Sequence, residues 1–232
     1  MLKNSIKILL NSLGYEIKPK TKRPLSPIKF WEQDQHFIKL YDKIKKLTVA
    51  SNQRCYIIYQ LLKQCLNIKG DIAEIGVYKG GTAGLIKECL VNSKKNIYLF
   101  DTFKGIPEPD FEKDPFYFEK TELFKDTSLV SIKKMFAKDE NIFIIDGKFP
   151  ETSNIINNNV FSFVHVDVDV YKSVMDCCLF FYPRLMKGGI LLFDDYGDYS
   201  CPGAKIAVDQ FFDDKSEYPI YLPTGQCVVL KK

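Results

Sequence analysis

From Gly70 onward the chain alternates short β-rich runs, "DIAEIG", "NIYLFD", "NIFIID", "FSFVHVDVDV" and "GGILLFDDY", with helical stretches, and it closes on "PIYLP" and "QCVVLKK". A parallel neighbour needs a crossover long enough to hold a helix, so this alternation predicts a mainly parallel sheet covered on both faces. The last two runs are separated by little more than "PTG", which leaves no room for a crossover, and they pair antiparallel. Two helical stretches, around 31–47 and 51–67, precede the first strand, and proline and charge in residues 18–28 mark a linker. One connection is out of proportion: residues 102–126, "TFKGIPEPDFEKDPFYFEKTELFKD", read as an acidic, aromatic lid. The organisation is therefore a basic extension and linker at 1–30 and one α/β domain at 31–232. That domain divides into N-terminal helices at 31–69 and a sheet core at 70–232.

Charge narrows the partners. Residues 1–30 hold seven Lys or Arg and one acid, a local +6, so the net +4 of the chain leaves −2 for the remainder. A domain of that sign is not built for nucleic acid, which needs a basic face. In "MLKNSIKILLNSLGYEI" the residues Leu2, Ile6, Leu9 and Leu13 recur at helical spacing. Packing on the chain's own domain or on a partner subunit is the favoured reading; weak contact of residues 1–23 with an anionic membrane surface is the other. No apolar run approaches the ~20 residues of a transmembrane helix, and the start lacks a signal peptide's pattern, so a cytoplasmic location is expected. The seven cysteines, Cys55, Cys65, Cys89, Cys177, Cys178, Cys201 and Cys227, include no CxxC pair and suggest core residues rather than disulfides or zinc ligands.

Ligands of open α/β sheets bind at the carboxyl ends of strands, beside the switch in strand order. After the first strand stands "EIGVYKGGTA", with Glu74, Gly76, Tyr78, Gly80, Gly81 and Thr82. This is not the G-x-G-x-x-G fingerprint, and glycines at a helix start often serve packing alone. A carboxylate at Glu74, however, repels a pyrophosphate and attracts an ammonium. Asp101 with Thr102 ends the second strand, at the position that holds ribose hydroxyls in nucleotide-binding sheets, and Asp146 with Gly147 ends the third. The set describes a nucleoside pocket without phosphates, which S-adenosylmethionine fits. Asp167 ends the fourth strand, and Asp194 and Asp195 end the fifth. Three carboxylates converging without matching cations call for a divalent ion, and all-oxygen ligation suits Mg²⁺. Asp169 is then left to accept a proton. Singly, each acid is as readily a helix cap or a solvated strand end.

These residues resemble a known family. "GDIAEIGVYKGGTA", "LFDTFKGIPEP", "FVHVDVDVYKSVMDCCLFFYPRLMKGGILLFDDY", "CPGAKIAVDQFF" and the upstream "FIKLYDKIKKLTVASNQRCYIIYQ" are similar to the macrocin O-methyltransferase family, metal-dependent enzymes that methylate sugar hydroxyls. The resemblance covers residues 31–232. It implies an α/β, class I S-adenosylmethionine-dependent methyltransferase (Rossmann-like) fold, with a seven-stranded mostly parallel sheet, an antiparallel last strand and added N-terminal helices. It also implies S-adenosylmethionine as donor, Mg²⁺ as cofactor, a sugar or glycan-precursor hydroxyl as acceptor, and a homo-oligomer. By motif match Asp167, Asp194 and Asp195 hold the metal and Asp169 is the general base. Glu74, Gly76, Thr82 and Asp101 line the donor pocket, and Thr48, Ser51 and Arg54 close over its methionine end. In related catechol-type enzymes a lysine base follows the metal aspartates; here that position is Val170, which favours an aliphatic hydroxyl paired with a carboxylate base.

Plainer readings stand beside these. His165 is expected in the core or behind a ligand rather than on the metal. Cys201 lies near the rim with no chemistry assigned, and Phe103, Phe111, Phe116, Tyr117 and Phe118 of the lid either stack on a sugar or bury one another. A D-x-D at a strand end also serves glycosyltransferases that bind a nucleotide diphosphate through a metal, and a silent module of a biosynthetic complex is a third possibility.

Overall fold

The computed structural model describes residues 10–15, 28–107, 109–120 and 122–232. The amphipathic segment and linker expected across residues 1–30, and the membrane contact considered for residues 1–23, fall largely outside them.

Helices α1 (Gln35–Ile44) and α2 (Asn52–Cys65) form where apolar periodicity follows a capping residue. The Asp34 carboxylate accepts the N–H groups of His36 and Phe37, each at 3.0 Å, and Ser51 Oγ accepts that of Arg54 at 3.2 Å. Seven strands follow: β1 (Asp71–Ile75), β2 (Ile97–Asp101), β3 (Ile142–Asp146), β4 (Phe161–Val166), β5 (Leu185–Phe193), β6 (Ile220–Tyr221) and β7 (Cys227–Leu230). They lie in the order β3-β2-β1-β4-β5-β7-β6. Strands β1 to β5 are parallel, and β7 runs antiparallel to both β5 and β6, as the short "PTG" connection requires.

The crossovers are α3 (Gly81–Cys89) after β1, α4 (Pro115–Glu119) and α5 (Leu129–Met135) after β2, α6 (Tyr171–Phe181) after β4, and α7 (Pro202–Phe212) after β5. Helices α1, α2, α3 and α5 cover one face through Phe37, Leu62, Leu85 and Ile132 against Phe163, Ile190 and Leu192. Helices α4, α6 and α7 cover the other through Tyr117, Phe181 and Phe212 against Phe161, Val164 and Phe193. With both faces covered, every residue of β4 is buried, which is why its sequence reads as an almost continuous apolar run. All seven cysteines are free; six are buried, and Cys89 is partly so. Among the described residues no helix is long and apolar enough to cross a membrane.

The chain leaves β1 toward β2 and β3, then returns to place β4 on the other side of β1. The loops after β1 and β4 diverge there and open a cleft at the carboxyl rim. Gly76 is indispensable to it: φ is +90°, and a Cβ would lie 1.7 Å from the carbonyl oxygen of Asp167.

Candidate active site

A cavity of about 420 Å³ opens at this switch point. Of the residues singled out in the sequence, Thr48, Arg54, Gly76, Tyr78, Thr82, Asp101, Thr102, Gly147, Asp167, Asp169, Asp194 and Asp195 line it. Ser51, Glu74, Gly80, Gly81 and Asp146 do not.

On the β1–β3 side the polar groups hold backbone. Asp101 Oδ2 accepts the N–H groups of Val77 and Tyr78 at 2.7 and 2.8 Å, and Oδ1 accepts that of Phe103 at 2.6 Å. One carboxylate thereby ties the turn after β1 to the start of the lid. Thr102 Oγ1 donates to the Gly105 carbonyl at 2.8 Å and closes the next turn. Gly80 opens α3 at φ +82°, and a Cβ on Gly81 would lie 2.7 Å from the Leu47 carbonyl, so both glycines answer to packing. Asp146 is exposed at the end of the edge strand β3. Ser51 caps α2. Glu74 is fully buried inside the sheet, its Oε1 3.0 Å from His165 Nδ1, while its Oε2 is buried without a partner.

On the β4–β5 side charge dominates. The Asp194 carboxylate accepts from Arg54 at 2.8 Å, from Gln226 at 2.7 Å and from His165 Nε2 at 3.3 Å. Burial alone would raise its pKa; the hydrogen bond and charge of His165, then Arg54 and Gln226, outweigh it and hold Asp194 below the usual carboxylate range. Burial disfavours a charged His165, but Asp194 and Glu74 on its two nitrogens prevail and raise its pKa well above the ordinary value. The Asp167 side chain has no hydrogen-bond donor among the described residues, and burial, reinforced by Asp194, pushes its pKa well up. Asp195 is raised by burial and then by Asp169, Asp167 and Asp194; its Oδ2 accepts the Asp169 N–H at 3.1 Å. Burial pushes Asp169 up to about 6 against the lowering effect of Tyr117 and Cys201.

The acids expected to hold the metal share this cavity but fall into two close groups. His165, Asp167 and Asp194 form one and Asp169, Asp195 and Cys201 the other, each with one ligand atom per residue within 4.8 Å of the rest. Arg54 approaches an acid of each group, 2.8 Å from Asp194 and 3.9 Å from Asp195. The donor set still fits a hard divalent cation: three carboxylates face one cavity, and Asp167 is short of any partner. His165 is spent on Glu74 and Asp194, so it stands behind a ligand.

The sequence singles out Tyr117 only as a lid aromatic that stacks on a sugar or packs, and it does not single out Asp114 or Gln226. Tyr117 of the lid donates to Asp169 Oδ1 at 2.6 Å. Asp114, fully buried, accepts the N–H of Tyr171 at 2.9 Å and anchors α4. Gln226, also buried, completes Asp194. Asp114 is one acid among many in the lid, and Gln226 sits in an ordinary turn, so neither carried a signal. "CPG" beside the metal-type aspartates was the one visible cue, since it brings Cys201 to the rim.

Comparisons with known proteins bear on the family and the fold. The family model described as Macrocin-O-methyltransferase (TylF) matches residues 46–228. The demethyldecarbamoylnovobiocin O-methyltransferase of Streptomyces niveus is 27% identical over 169 residues, 65% of this chain and 63% of that protein. The 8-demethyl-8-(2,3-dimethoxy-alpha-L-rhamnosyl)-tetracenomycin-C 4'-O-methyltransferase of Streptomyces olivaceus is 24% identical over 149 residues, 59% of this chain and 57% of that protein. The chain thus spans less than two thirds of the length of either relative. The solved O-methyltransferase NovP superposes with a TM-score of 0.71 at 24% identity, covering 80% of this chain and 82% of that one. The likeness establishes a class I S-adenosylmethionine-dependent methyltransferase fold. Because the matching model runs from the loop before α2 into β7, taking in β1 to β6 and the whole acid wall, the chain belongs to the macrocin O-methyltransferase family.

Proposed function

We propose that this protein moves a methyl group from S-adenosylmethionine to a sugar hydroxyl, with Asp169 as general base and Asp167, Asp194 and Asp195 holding a divalent cation such as Mg²⁺. The observation that carries the reading is that one cavity joins the turn after β1 to an acid wall. Six carboxylates line it, Asp101, Asp167, Asp169, Asp194, Asp195 and Asp198, against Arg54 and Lys148. Such a wall favours a donor carrying a sulfonium and an ammonium, and it disfavours the diphosphate that a D-x-D glycosyltransferase must bind. The relatives are named as O-methyltransferases, and one name places the reaction beside a rhamnosyl group.

The chain's own residues divide the work. Asp101, already fixed by three N–H groups, presents its remaining lone pairs to the ribose side of the pocket, and Phe100, Phe124 and Phe149 offer apolar surface to a base. Arg54 is held by Asp194, by Asp198 at 3.3 Å and by the Thr224 carbonyl at 3.1 Å, which sets it over the acid wall as a fixed charge. Asp169 stands at the wall with Oδ1 engaged by Tyr117, leaving Oδ2 to take the acceptor's proton while a carbon–oxygen bond forms and the carbon–sulfur bond breaks. When bound, the cation supplies Lewis acidity that lowers the pKa of the acceptor hydroxyl and orients it. An acceptor screen with methyl-labelled S-adenosylmethionine, run with and without EDTA, tests the whole reading. Transfer to a glycoside that EDTA abolishes and Mg²⁺ restores is expected. Transfer untouched by chelation removes the cation, and binding of sugar nucleotides in a calorimeter without binding of S-adenosylmethionine removes the methyl transfer.

A further inference from the structure

We infer that Tyr117 is a positioning residue through which the lid aims the base: its hydroxyl holds Asp169 Oδ1 so that Oδ2 faces the acceptor. The inference rests on the methyl-transfer reading above and adds a residue to it.

Tyr117 is 4% exposed, yet its ring comes from the lid helix α4 rather than from a strand end. Its hydroxyl donates to Asp169 Oδ1 at 2.6 Å and lies 3.4 Å from Cys201 Sγ, which is itself 3.6 Å from the same Asp169 oxygen. The three side chains close a triangle on the cavity wall. Among the described residues no donor is directed at Asp169 Oδ2, so the two oxygens of one carboxylate are made different.

Asp169 needs such support. Its φ of +60° lies in the left-handed region, which is strained for a non-glycine residue and persists only where neighbours over-determine it. Asp195 Oδ2 holds its N–H and Tyr117 holds its side chain.

The lid is in turn seated by Asp114. That fully buried carboxylate accepts the Tyr171 N–H through Oδ1 and the Asp110 N–H through Oδ2, each at 2.9 Å. A Cβ on Gly203 would lie 1.9 Å from Asp114 Oδ1, so the first turn of α7 carries glycine at its second position to admit it. Tyr171 opens α6 two residues after Asp169, and Gly203 lies two residues after Cys201. One docking point therefore registers α4 against both segments that carry Tyr117's partners. A ring serving only to fill the cavity would need neither the hydroxyl contact nor this anchor.

The test uses the full chain with Mg²⁺, methyl-tritiated S-adenosylmethionine, and methyl α-L-rhamnopyranoside and thymidine-diphospho-rhamnose as acceptor probes. Wild type, Tyr117→Phe, Asp169→Asn and the double variant are compared. Tyr117→Phe is expected to lower kcat about 10- to 50-fold, with acceptor KM and donor Kd within about twofold of wild type. In the Asp169→Asn background it is expected to cost nothing further, since the group it aims is gone. Wild-type kcat in Tyr117→Phe overturns the inference, and so does an equal loss in both backgrounds. Full turnover in Asp169→Asn would instead sink the base assignment and leave that failure distinct. A second measurement needs no acceptor: alkylation of Cys201 by iodoacetamide, followed by peptide mass spectrometry with Cys65 as internal reference. Tyr117→Ala is expected to speed it about tenfold or more, as the hydroxyl and ring are withdrawn from Cys201. An unchanged Cys201 rate means that Tyr117 does not sit on the triangle, and overturns the inference even if neither probe accepts a methyl group.

Discussion

The two sides of the cleft use carboxylates in opposite ways. After β2, Asp101 accepts three main-chain N–H groups and fixes the shape of two loops. After β4, Asp167 is half-buried without a hydrogen-bond donor among the described residues, and its pKa is raised by desolvation and by Asp194. A carboxylate satisfied by its own chain is architecture, and it stabilises the fold. A desolvated carboxylate short of partners costs stability, and it is kept where a ligand supplies what is missing. By that measure the β1–β3 side is a preformed mould, and the β4–β5 side is where chemistry is prepared.

The comparison breaks most visibly if matched substitutions on the two sides shift stability in the same direction. Asp101→Asn converts charge-assisted hydrogen bonds to weaker ones and turns a donor toward one of the N–H groups. It is expected to destabilise the chain by about 2–4 kcal/mol. For a chain of this length that lowers Tm by roughly 2–4 °C per kcal/mol. Asp167→Asn removes a like charge from the acid wall and is expected to raise stability in EDTA by about 1 kcal/mol while abolishing methyl transfer. Denaturant melts of both variants with and without EDTA decide it, and destabilisation by both would erase the distinction.

A smaller effect sharpens the same contrast through pH. Burial raises the folded-state pKa of Asp167 and Asp195, and pushes Asp169 up to about 6. Groups whose folded pKa exceeds the unfolded value bind protons preferentially in the native state. Their stabilising contribution is complete below the unfolded carboxylate range and is lost as pH rises through the folded values. Asp194, held below its ordinary value, loses its contribution only as pH falls below the normal carboxylate range. His165, with a pKa raised well above its ordinary value, stays charged across the mildly acidic window. Metal-free protein is therefore expected to lose stability between about pH 4 and 7. Mg²⁺ should restore it at the upper end, and Asp167→Asn should flatten the slope. Urea unfolding across that range in EDTA tests the sign; stability rising with pH would contradict it.

Much of this was legible in the sequence for a physical reason. Strand runs and the "PTG" turn predict the sheet and its antiparallel last strand, because periodicity and connection length bear directly on pairing. Acids at strand ends were visible because strand ends converge on one rim, and Asp167, Asp169, Asp194 and Asp195 all line the cavity. What stayed hidden depends on side-chain direction within an element. Glu74 was read as facing a ligand, but the pairing of β1 with β4 sets it opposite His165 inside the sheet. The lid aromatics shared one composition signal, yet only the docking of Asp114 decides that Tyr117, and not exposed Phe111, reaches Asp169.

Ser51 tests the boundary between mould and chemistry most finely. The family resemblance associates it with the methionine end of the donor, whereas its hydroxyl caps α2 by accepting the Arg54 N–H and lies outside the cavity lining. Ser51→Ala is expected to cost about 1 kcal/mol, the usual worth of an N-cap. Donor affinity should hold, because the Arg54 guanidinium is pinned independently by Asp194, Asp198 and the Thr224 carbonyl. Calorimetry with S-adenosylmethionine alongside a thermal melt separates the two roles. A Kd weakened tenfold with an unchanged Tm would move Ser51 into the donor site, and would show that the loop before α2 closes on the donor rather than merely starting a helix.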